Sequence, residues 1–369
     1  MSRNKVVLHL IPDEKITDSL IENFSVFSNQ VFCVYQNTPK TFISVKGSNI
    51  VPYSGETLSK LKSIYNFDTL VFHGGNGLVY KLLFFCREKI ENIVWIAWGA
   101  DIYNVSENKK NLYFEATKMF IRDQNKKERF KGIILSLKEK AYDFLRKQIY
   151  HKITHFASYI FEDYQYFTAL HKNNYTFVPF NFCSLDQYVQ DRARRINSDA
   201  NNILIGNSVS PECNHVDALI KISKYIDREK VIVPLNYGTN LSYKNWVINE
   251  GEILLNNNFM PIEDFMPLNE YLNLTQKCSV GIFYHKRQQA MGNILAMLYL
   301  GCRVYLSVEN PIYEYFIRNG LIVFNLENHF EKYRSSQLTM QEADINRKII
   351  NDLFSIAITE KGYKNIVQI

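Results

Sequence analysis

Short apolar runs of strand length alternate with helix-length segments along almost the whole chain, and that alternation leaves few folds open. In the first half the strand-like runs are Val6–Ile11, Gln30–Tyr35, Thr69–His73, Ile93–Trp98 and His155–Ser158, followed by "NYTFVPF". In the second half they are Ile203–Gly206, Lys230–Pro234, Val280–Tyr284, Arg303–Leu306 and Leu321–Phe324, with "FMPIEDFMPLNEYLNLTQKC" reading as a turn and a helix. Strands separated by helices pair in parallel, because each helix carries the chain back over the sheet. Between the two series lies "SLDQYVQDRARRINSDANN", polar and charged, with no apolar period. The pattern predicts an α/β protein of two Rossmann-like open domains facing a cleft. The boundary is expected near 185–201, giving domains of 1–190 and 191–345, with 346–369 a helix that packs back on the first. A length of 369 residues agrees with about two domains at ~150 residues each.

Several classes drop out. No apolar run approaches the ~18 residues needed to span a bilayer. The opening "MSRNKVVLHLIPDEK" holds only Val6–Ile11 as an apolar stretch, which suits a first strand and not a secretion signal. The six cysteines form no CxxC and no Cys/His cluster, so reduced cytoplasmic thiols are expected and a structural zinc site is not. No GxGxxG follows the first strand and no GxxxxGK[ST] occurs, which argues against dinucleotide oxidoreductases and P-loop NTPases. The absence of D-x-D weakens a metal-chelating sugar-nucleotide site. The net charge of +6 is uneven: residues 109–152 carry 13 Lys/Arg and 5 Asp/Glu, 13 − 5 = +8, leaving the rest near −2. These cations interleave with Phe, Tyr, Leu and Ile at helical spacing, so the segment is expected on an anionic membrane surface, with nucleic acid not expected as a partner. A solvated helical face over a core stripe is the plainer alternative.

Ligands of open α/β sheets bind beyond the carboxyl ends of the strands, so the residues after each strand carry the information. In the second half these are Gly206-Asn207-Ser208, suited to phosphate, and Tyr237, an aromatic for a nucleobase. Lys286, Arg287, Gln288, Gln289 and Gly292 precede or open an expected helix, and Glu309 with Asn310 offers an acceptor for ribose hydroxyls. Each is ordinary turn chemistry alone; together they describe a nucleotide-diphosphate site. Arg287 and the helix dipole would neutralise a departing diphosphate without a metal. In the first half His9 and Asp13 flank the first strand end, His73-Gly74 follows the third, and Trp98-Gly99 with Asp101 follows the fourth. A His or Asp there can serve as a base for an acceptor hydroxyl or orient it. His73 reads equally as a core histidine, Asp101 as a helix N-cap and Trp98 as core.

The pieces "FHGGNGLVYKLL", "VWIAWGADIYNV", "ILIGNSVSPECNHVDALIKI", "VIVPLNYG", "YLNLTQKCSVGIFYHKRQQAMGNILAMLYLG" and "ENPIYEYF" stand in one order. In that order the chain resembles the TDP-N-acetylfucosamine:lipid II N-acetylfucosaminyltransferase family, glycosyltransferase family 56, from the first strand to about residue 330. The resemblance implies a GT-B fold, a dTDP-linked deoxy amino sugar as donor, such as 4-acetamido-4,6-dideoxygalactose, and a polyprenyl-diphosphate-linked saccharide as acceptor. It implies peripheral attachment to the inner face of a bacterial cytoplasmic membrane and no metal cofactor. It carries onto Gly206, Asn207, Ser208, Tyr237, Arg287, Gln288, Gln289, Gly292, Glu309 and Asn310 as the donor side, with Lys286 added to that side from its place beside Arg287. It carries onto His73, Gly74, Trp98, Gly99 and Asp101 as the acceptor side, which His9 and Asp13 join from their place at the first strand end, and Asp101, His73 and Arg287 are the catalytic candidates. The sequence after His73-Gly74 and the basic segment depart from the family pattern, so O-antigen or capsule assembly, with another 4-amino sugar or fucose, stays open. Outside this class, a non-catalytic sugar-nucleotide or polyanion-binding protein is the alternative; a two-lobed epimerase lacks the paired carboxylates it would need.

Overall fold

The computed structural model describes residues 6–36, 41–103, 109–127, 129–189, 200–264, 266–333 and 337–369. Among the described residues thirteen strands form two sheets, each wholly parallel in its pairings. The first contains β1 (Val6–Pro12), β2 (Gln30–Tyr35), β3 (Ile50–Pro52), β4 (Phe67–His73), β5 (Asn92–Ile96), β6 (His155–Ser158) and β7 (Thr176–Pro179). Its order is β3-β2-β1-β4-β5-β6-β7, so the chain winds outward in one direction, returns to the centre and winds outward in the other. The second contains β8 (Asn202–Ile205), β9 (Val231–Pro234), β10 (Phe259–Ile262), β11 (Cys278–Phe283), β12 (Arg303–Leu306) and β13 (Phe324–Asn325), in the order β10-β9-β8-β11-β12-β13. Both sheets are thus doubly wound, with the reversal at β1/β4 in one and β8/β11 in the other. In such sheets the exits of the strands at the reversal diverge and leave a crevice.

The chain separates into two compact units. The first comprises residues 1–106, 131–183 and 356–369; the second comprises 107–130 and 184–355. The basic segment expected within the first domain is therefore divided, 107–130 belonging to the second unit. Parts of that segment, and residues 190–199 of the expected boundary, lie outside the described residues.

Trp95 organises the first core, with Phe72, Phe156, Phe167 and Tyr150 at centroid distances of 5.8, 5.3, 4.9 and 6.0 Å. The helix Ile356–Val367 completes it. Its Tyr363 ring packs on Phe24 and Phe180 (4.5 and 4.8 Å), and the Tyr363 hydroxyl donates to the Phe182 carbonyl at 2.7 Å. Gly362 allows the approach, since a Cβ there would lie 3.3 Å from the Pro179 carbonyl oxygen. The second core is built from Ile203, Ile205, Val231, Val233, Val280 and Ile282 of the central strands with Val216, Leu219 and Ile222 of the helix His215–Ile222.

Two edge strands depart from the sequence reading. β3 has only three residues and ends in a proline, and β10 is Phe-Met-Pro-Ile where a turn and helix were expected. Both sit at a sheet edge, where a proline's missing N–H costs no central ladder bond. Such strands take their place from a neighbour and not from a periodic pattern. The expected strand Leu321–Phe324 is reduced to Phe324–Asn325.

Candidate active site

At the β8/β11 reversal the two strand exits are tied together, the Gly206 N–H donating to the Ile282 carbonyl at 2.9 Å. Gly206 has φ +69°, and a Cβ there would fall 2.3 Å from His215 Nε2, so a side chain is excluded on both counts. The chain then presents Asn207 and the buried Ser208. From the other exit Gln289 reaches across, its Nε2 donating to Asn207 Oδ1 at 3.0 Å and lying 3.3 Å from Cys213 Sγ. Asn207, Ser208 and Gln289, 81 to 82 residues apart, are thus one cluster.

Arg287 enters the same place in an unusual condition. It is 6% exposed, its Nη1 donates to the Gln288 carbonyl at 2.9 Å, and its Nε has no partner among the described residues. No carboxylate pairs with it among those residues. A buried guanidinium without a counter-charge is costly, which makes Arg287 a candidate for pairing with an anionic ligand. Gln289 Oε1 and both ring nitrogens of the fully buried His285 are also unsatisfied among the described residues. Burial first, then the Arg287 charge, holds His285 well below the ordinary histidine value, so it stays neutral.

The helix Met291–Leu300 begins immediately after this turn. Its N-cap, Ala290, adopts φ +62° and gives no side-chain cap, leaving the first-turn N–H groups without one. A left-handed alanine costs roughly 1–2 kcal/mol, a strain of the kind concentrated at functional sites. Gly292 accommodates Tyr188, whose ring would lie 2.5 Å from a Cβ at that position. A cavity of about 180 Å³ opens there, lined by Tyr188, Asn207, Tyr271, Thr275, Gly292 and Asn293 among others.

Other donor-side candidates are placed differently. Lys286 is engaged by Glu309 at 2.8 Å and lies over the Phe114 ring at 4.1 Å, so each of these two charges already has an opposite partner. Asn310 is buried and uses its Oδ1 to cap the helix Pro311–Arg318 through the Ile312 N–H. Glu-Asn-Pro is therefore helix-start chemistry, although Asn310 Nδ2 remains unpartnered among the described residues. Tyr237 is 41% exposed, and its carbonyl accepts from the Val209 N–H, joining the β8 and β9 exits.

Sequence reading passed over Asn214. Fully buried at φ +50°, its Nδ2 donates to the carbonyls of Leu112, Glu212 and Tyr284, and its Oδ1 accepts from the Phe114 N–H. Asp217 accepts from the Ala116 and Thr117 N–H groups and the Thr117 hydroxyl, capping the helix Glu115–Lys127. These bonds explain why 107–130 belongs to the second unit. The Asn and Asp of "PECNHVD" are the only trace of this in the sequence, and such residues are common in turns.

In the first unit, Asp101 is the hub. Its Oδ2 accepts from the Gly75 N–H (2.7 Å) and the Trp95 indole (2.9 Å), and its Oδ1 from the Trp98 N–H (2.8 Å). The carboxylate pins the turns after β4 and β5 together. Burial pushes its carboxyl up, and the N–H bonds oppose that shift. Gly74 and Gly99 have φ of +71° and +86°, and the Trp98 ring lies 3.5 Å from where a Gly74 Cβ would be.

His9, His73 and Asp13 are not at the rim. His9 and His73 are fully buried and joined at 3.0 Å, with His9 Nε2 bonded to Gln30 Oε1 at 2.8 Å and Phe24 and Phe32 against the ring. Asp13 is 2% exposed and its Oδ1 accepts from the Phe42 and Ile43 N–H groups, holding the segment after β2. His9 and His73 bond to one another among aromatic rings, with His73 Nδ1 left unpartnered among the described residues, and Asp13 is taken up by backbone N–H groups.

Among the described residues no group of three His, Cys, Asp or Glu is arranged to hold a metal ion, and no helix is long and apolar enough to cross a membrane. Solved structures share the fold over nearly the full length of both chains. A glycosyltransferase from Rickettsia africae ESF-5 matches at TM-score 0.64 and 12% identity, covering 99% of each chain. A sucrose-phosphate synthase from Thermosynechococcus elongatus matches at TM-score 0.67 and 9% identity, covering 99% of this chain and 98% of that one. Anabaena HepE in complex with UDP and glucose matches at TM-score 0.61 and 10% identity, covering 99% and 100%. Two doubly wound parallel-sheet domains of this kind constitute the GT-B fold. The family model described as 4-alpha-L-fucosyltransferase, glycosyl transferase group 56, matches residues 133–368, and the chain belongs to that family of glycosyltransferases.

Proposed function

We propose that this glycosyltransferase moves a deoxy amino sugar, of the 4-acetamido-4,6-dideoxygalactose type, from a dTDP-linked donor to a polyprenyl-diphosphate-linked saccharide in surface-polysaccharide assembly. The observation that carries the donor half is the buried Arg287, without a carboxylate among the described residues, beside the Asn207–Gln289 bridge at the β8/β11 reversal. In this reading the diphosphate lies against Arg287 and the first-turn N–H groups of Met291–Leu300. As an acceptor hydroxyl oxygen bonds to the anomeric carbon, the bond from that carbon to the diphosphate oxygen breaks, and the hydroxyl proton passes to the departing diphosphate oxygen. Arg287 and the helix dipole stabilise the charge that builds on the leaving dTDP, so no metal is required. Asp101 acts as a positioning residue for the Gly75 and Trp98 turns, since its oxygens are occupied by three N–H donors. The donor and product configurations implied for the family are both α, which favours retention.

A nucleotide screen by thermal shift tests the reading. dTDP is expected to raise the melting temperature more than UDP or GDP, and Arg287→Ala to remove most of that rise. A larger shift with UDP or GDP overturns the dTDP assignment, and an undiminished shift in the variant overturns the role of Arg287.

A further inference from the structure

The cavity beside Gly292 is lined entirely by residues of the second unit, and the leaving-group chemistry at Arg287 makes no use of it. One wall is the helix Leu268–Thr275, through Tyr271, Leu272 and Thr275. The facing wall is the first turns of the helix Met291–Leu300, through Gly292, Asn293 and Ala296. Tyr188, on the short helix Leu185–Val189, packs against Gly292 and forms a third side. Asn207 and Ala290 stand at the end next to the Asn207–Gln289 bridge. Ala296 is six residues along from Ala290, so the cavity runs about 9 Å down that helix. Thr275 is buried and its hydroxyl donates to the Leu272 carbonyl at 2.8 Å. The Tyr271 hydroxyl is buried as well, and it has no partner among the described residues.

The described lining is uncharged throughout, with Leu272, Ala290 and Ala296 apolar and Tyr188 and Tyr271 aromatic. A diphosphate would have no counter-charge in such a place and belongs at Arg287. The migrating sugar must stay open to an acceptor hydroxyl, which a recess between three helices obstructs. The nucleoside takes no part in the bond exchange, so it can be enclosed, and its flat base suits the tyrosine rings. Tyr237 and Glu309, which the sequence offered to base and ribose, are not among the lining residues. A carboxylate is the usual partner of a ribose 2′-hydroxyl. Here the helix wall offers the Ala296 methyl, and a 2′-hydroxyl set against it loses water without gaining a partner. A 2′-deoxyribose has no such hydroxyl to desolvate. We infer, on the donor half of the proposed function, that this cavity receives the nucleoside of the donor and that its uncharged wall at Ala296 favours 2′-deoxyribose over ribose. The Tyr271 hydroxyl is the group that a polar edge of the nucleoside satisfies.

The test is isothermal titration of the full chain with dUDP, UDP and inorganic pyrophosphate, because dUDP and UDP differ only at the 2′ position. dUDP is expected to bind more tightly than pyrophosphate. It should also bind about 10- to 10²-fold more tightly than UDP, since an apolar wall rejects an added hydroxyl only to that extent. Ala296→Leu narrows the cavity and should weaken dUDP at least about tenfold, leaving pyrophosphate as in the wild type. Tyr271→Phe removes one hydroxyl and should weaken dUDP by about three- to tenfold. Should Ala296→Leu melt early, Tyr271→Phe is the substitute, as it keeps the ring and its packing. UDP binding as tightly as dUDP, or dUDP binding unchanged in the variants, overturns the inference. So does dUDP binding no tighter than pyrophosphate. In each of these cases the diphosphate site at Arg287 is untouched. Failure of the wild type to bind any of the three ligands is the different result that overturns the donor reading, and the nucleoside pocket with it.

Discussion

Arg287 is buried with no carboxylate among the described residues and only one backbone carbonyl for its guanidinium, and the proposed function gives it a ligand anion as counter-charge. Arg287→Ala should lower turnover by about 10²-fold or more, as losing one leaving-group stabiliser does. Arg287→Lys should recover only part, because an ammonium keeps the charge but loses the planar fork. Steady-state kinetics with saturating donor checks both, and unchanged turnover removes the residue from the chemistry. A second residue-scale outcome concerns pH. Burial lowers His9 from 6.5 to about 4 and His215 from 6.5 to about 3, and lowers His73 and His285 in the same direction. Below pH about 6.5 the unfolded chain therefore binds protons that the folded chain refuses, and stability falls as pH falls, until the folded values are reached. Each group contributes about 1.4 kcal/mol per pH unit across its window. Denaturant midpoints should drop steadily between pH 7 and 5; a flat profile would mean these imidazoles are not held neutral. Much of the candidate donor cluster was legible because strand ends can be located from apolar runs, and Arg287, Gln289 and Asn207 stand at strand ends. His9, His73 and Asp13 also stand at or near them, yet they turn inward. Which way a strand-end side chain faces depends on partners distant in sequence, such as Gln30 and Phe42, that no local pattern names.

Secondary-structure elements repeat the lesson at larger grain. Central strands of both sheets are near-continuous apolar runs, as burial on two faces demands, and they were readable to within one or two residues. Edge strands β3 and β10 are short and contain proline, so nothing in their own sequence sets them apart from loops. The helix Glu115–Lys127 was legible as a helix but not as a member of the second unit, because its attachment runs through Asn214 and Asp217, about a hundred residues away. Asp217→Ala leaves three donors of Ala116 and Thr117 without their acceptor and should cost about 1–2 kcal/mol. Hydrogen exchange should quicken at residues 115–120 more than in the central strands. Equal protection in both proteins would show that Phe120, stacked on Trp246 at 4.5 Å, anchors the helix alone.

For the whole molecule, the alternation of strands and helices led to two open α/β domains, and the two parallel sheets and the solved structures agree on that architecture. Sequence order did not reveal how often the chain changes unit, because the crossings are made by side-chain anchors. Tyr363 is the most telling of these, buried against Phe24 and Phe180. Tyr363→Ala should destabilise the first unit by about 3–5 kcal/mol, the range for a buried aromatic truncated to alanine. Limited proteolysis should then cut first within 6–103 or 131–183, and a wild-type cleavage pattern would show that the helix adds little. The composition of that unit has a consequence for synthesis. Its sheet emerges first from the ribosome, yet its last packing element, residues 356–369, is translated after every strand of the second unit. The first-made half is therefore the last to be finished, and its Phe24 and Phe180 surface stays uncovered while the second half is translated. A nascent chain halted before residue 356 should be held by chaperones through its first half, whereas its second half should already resist protease.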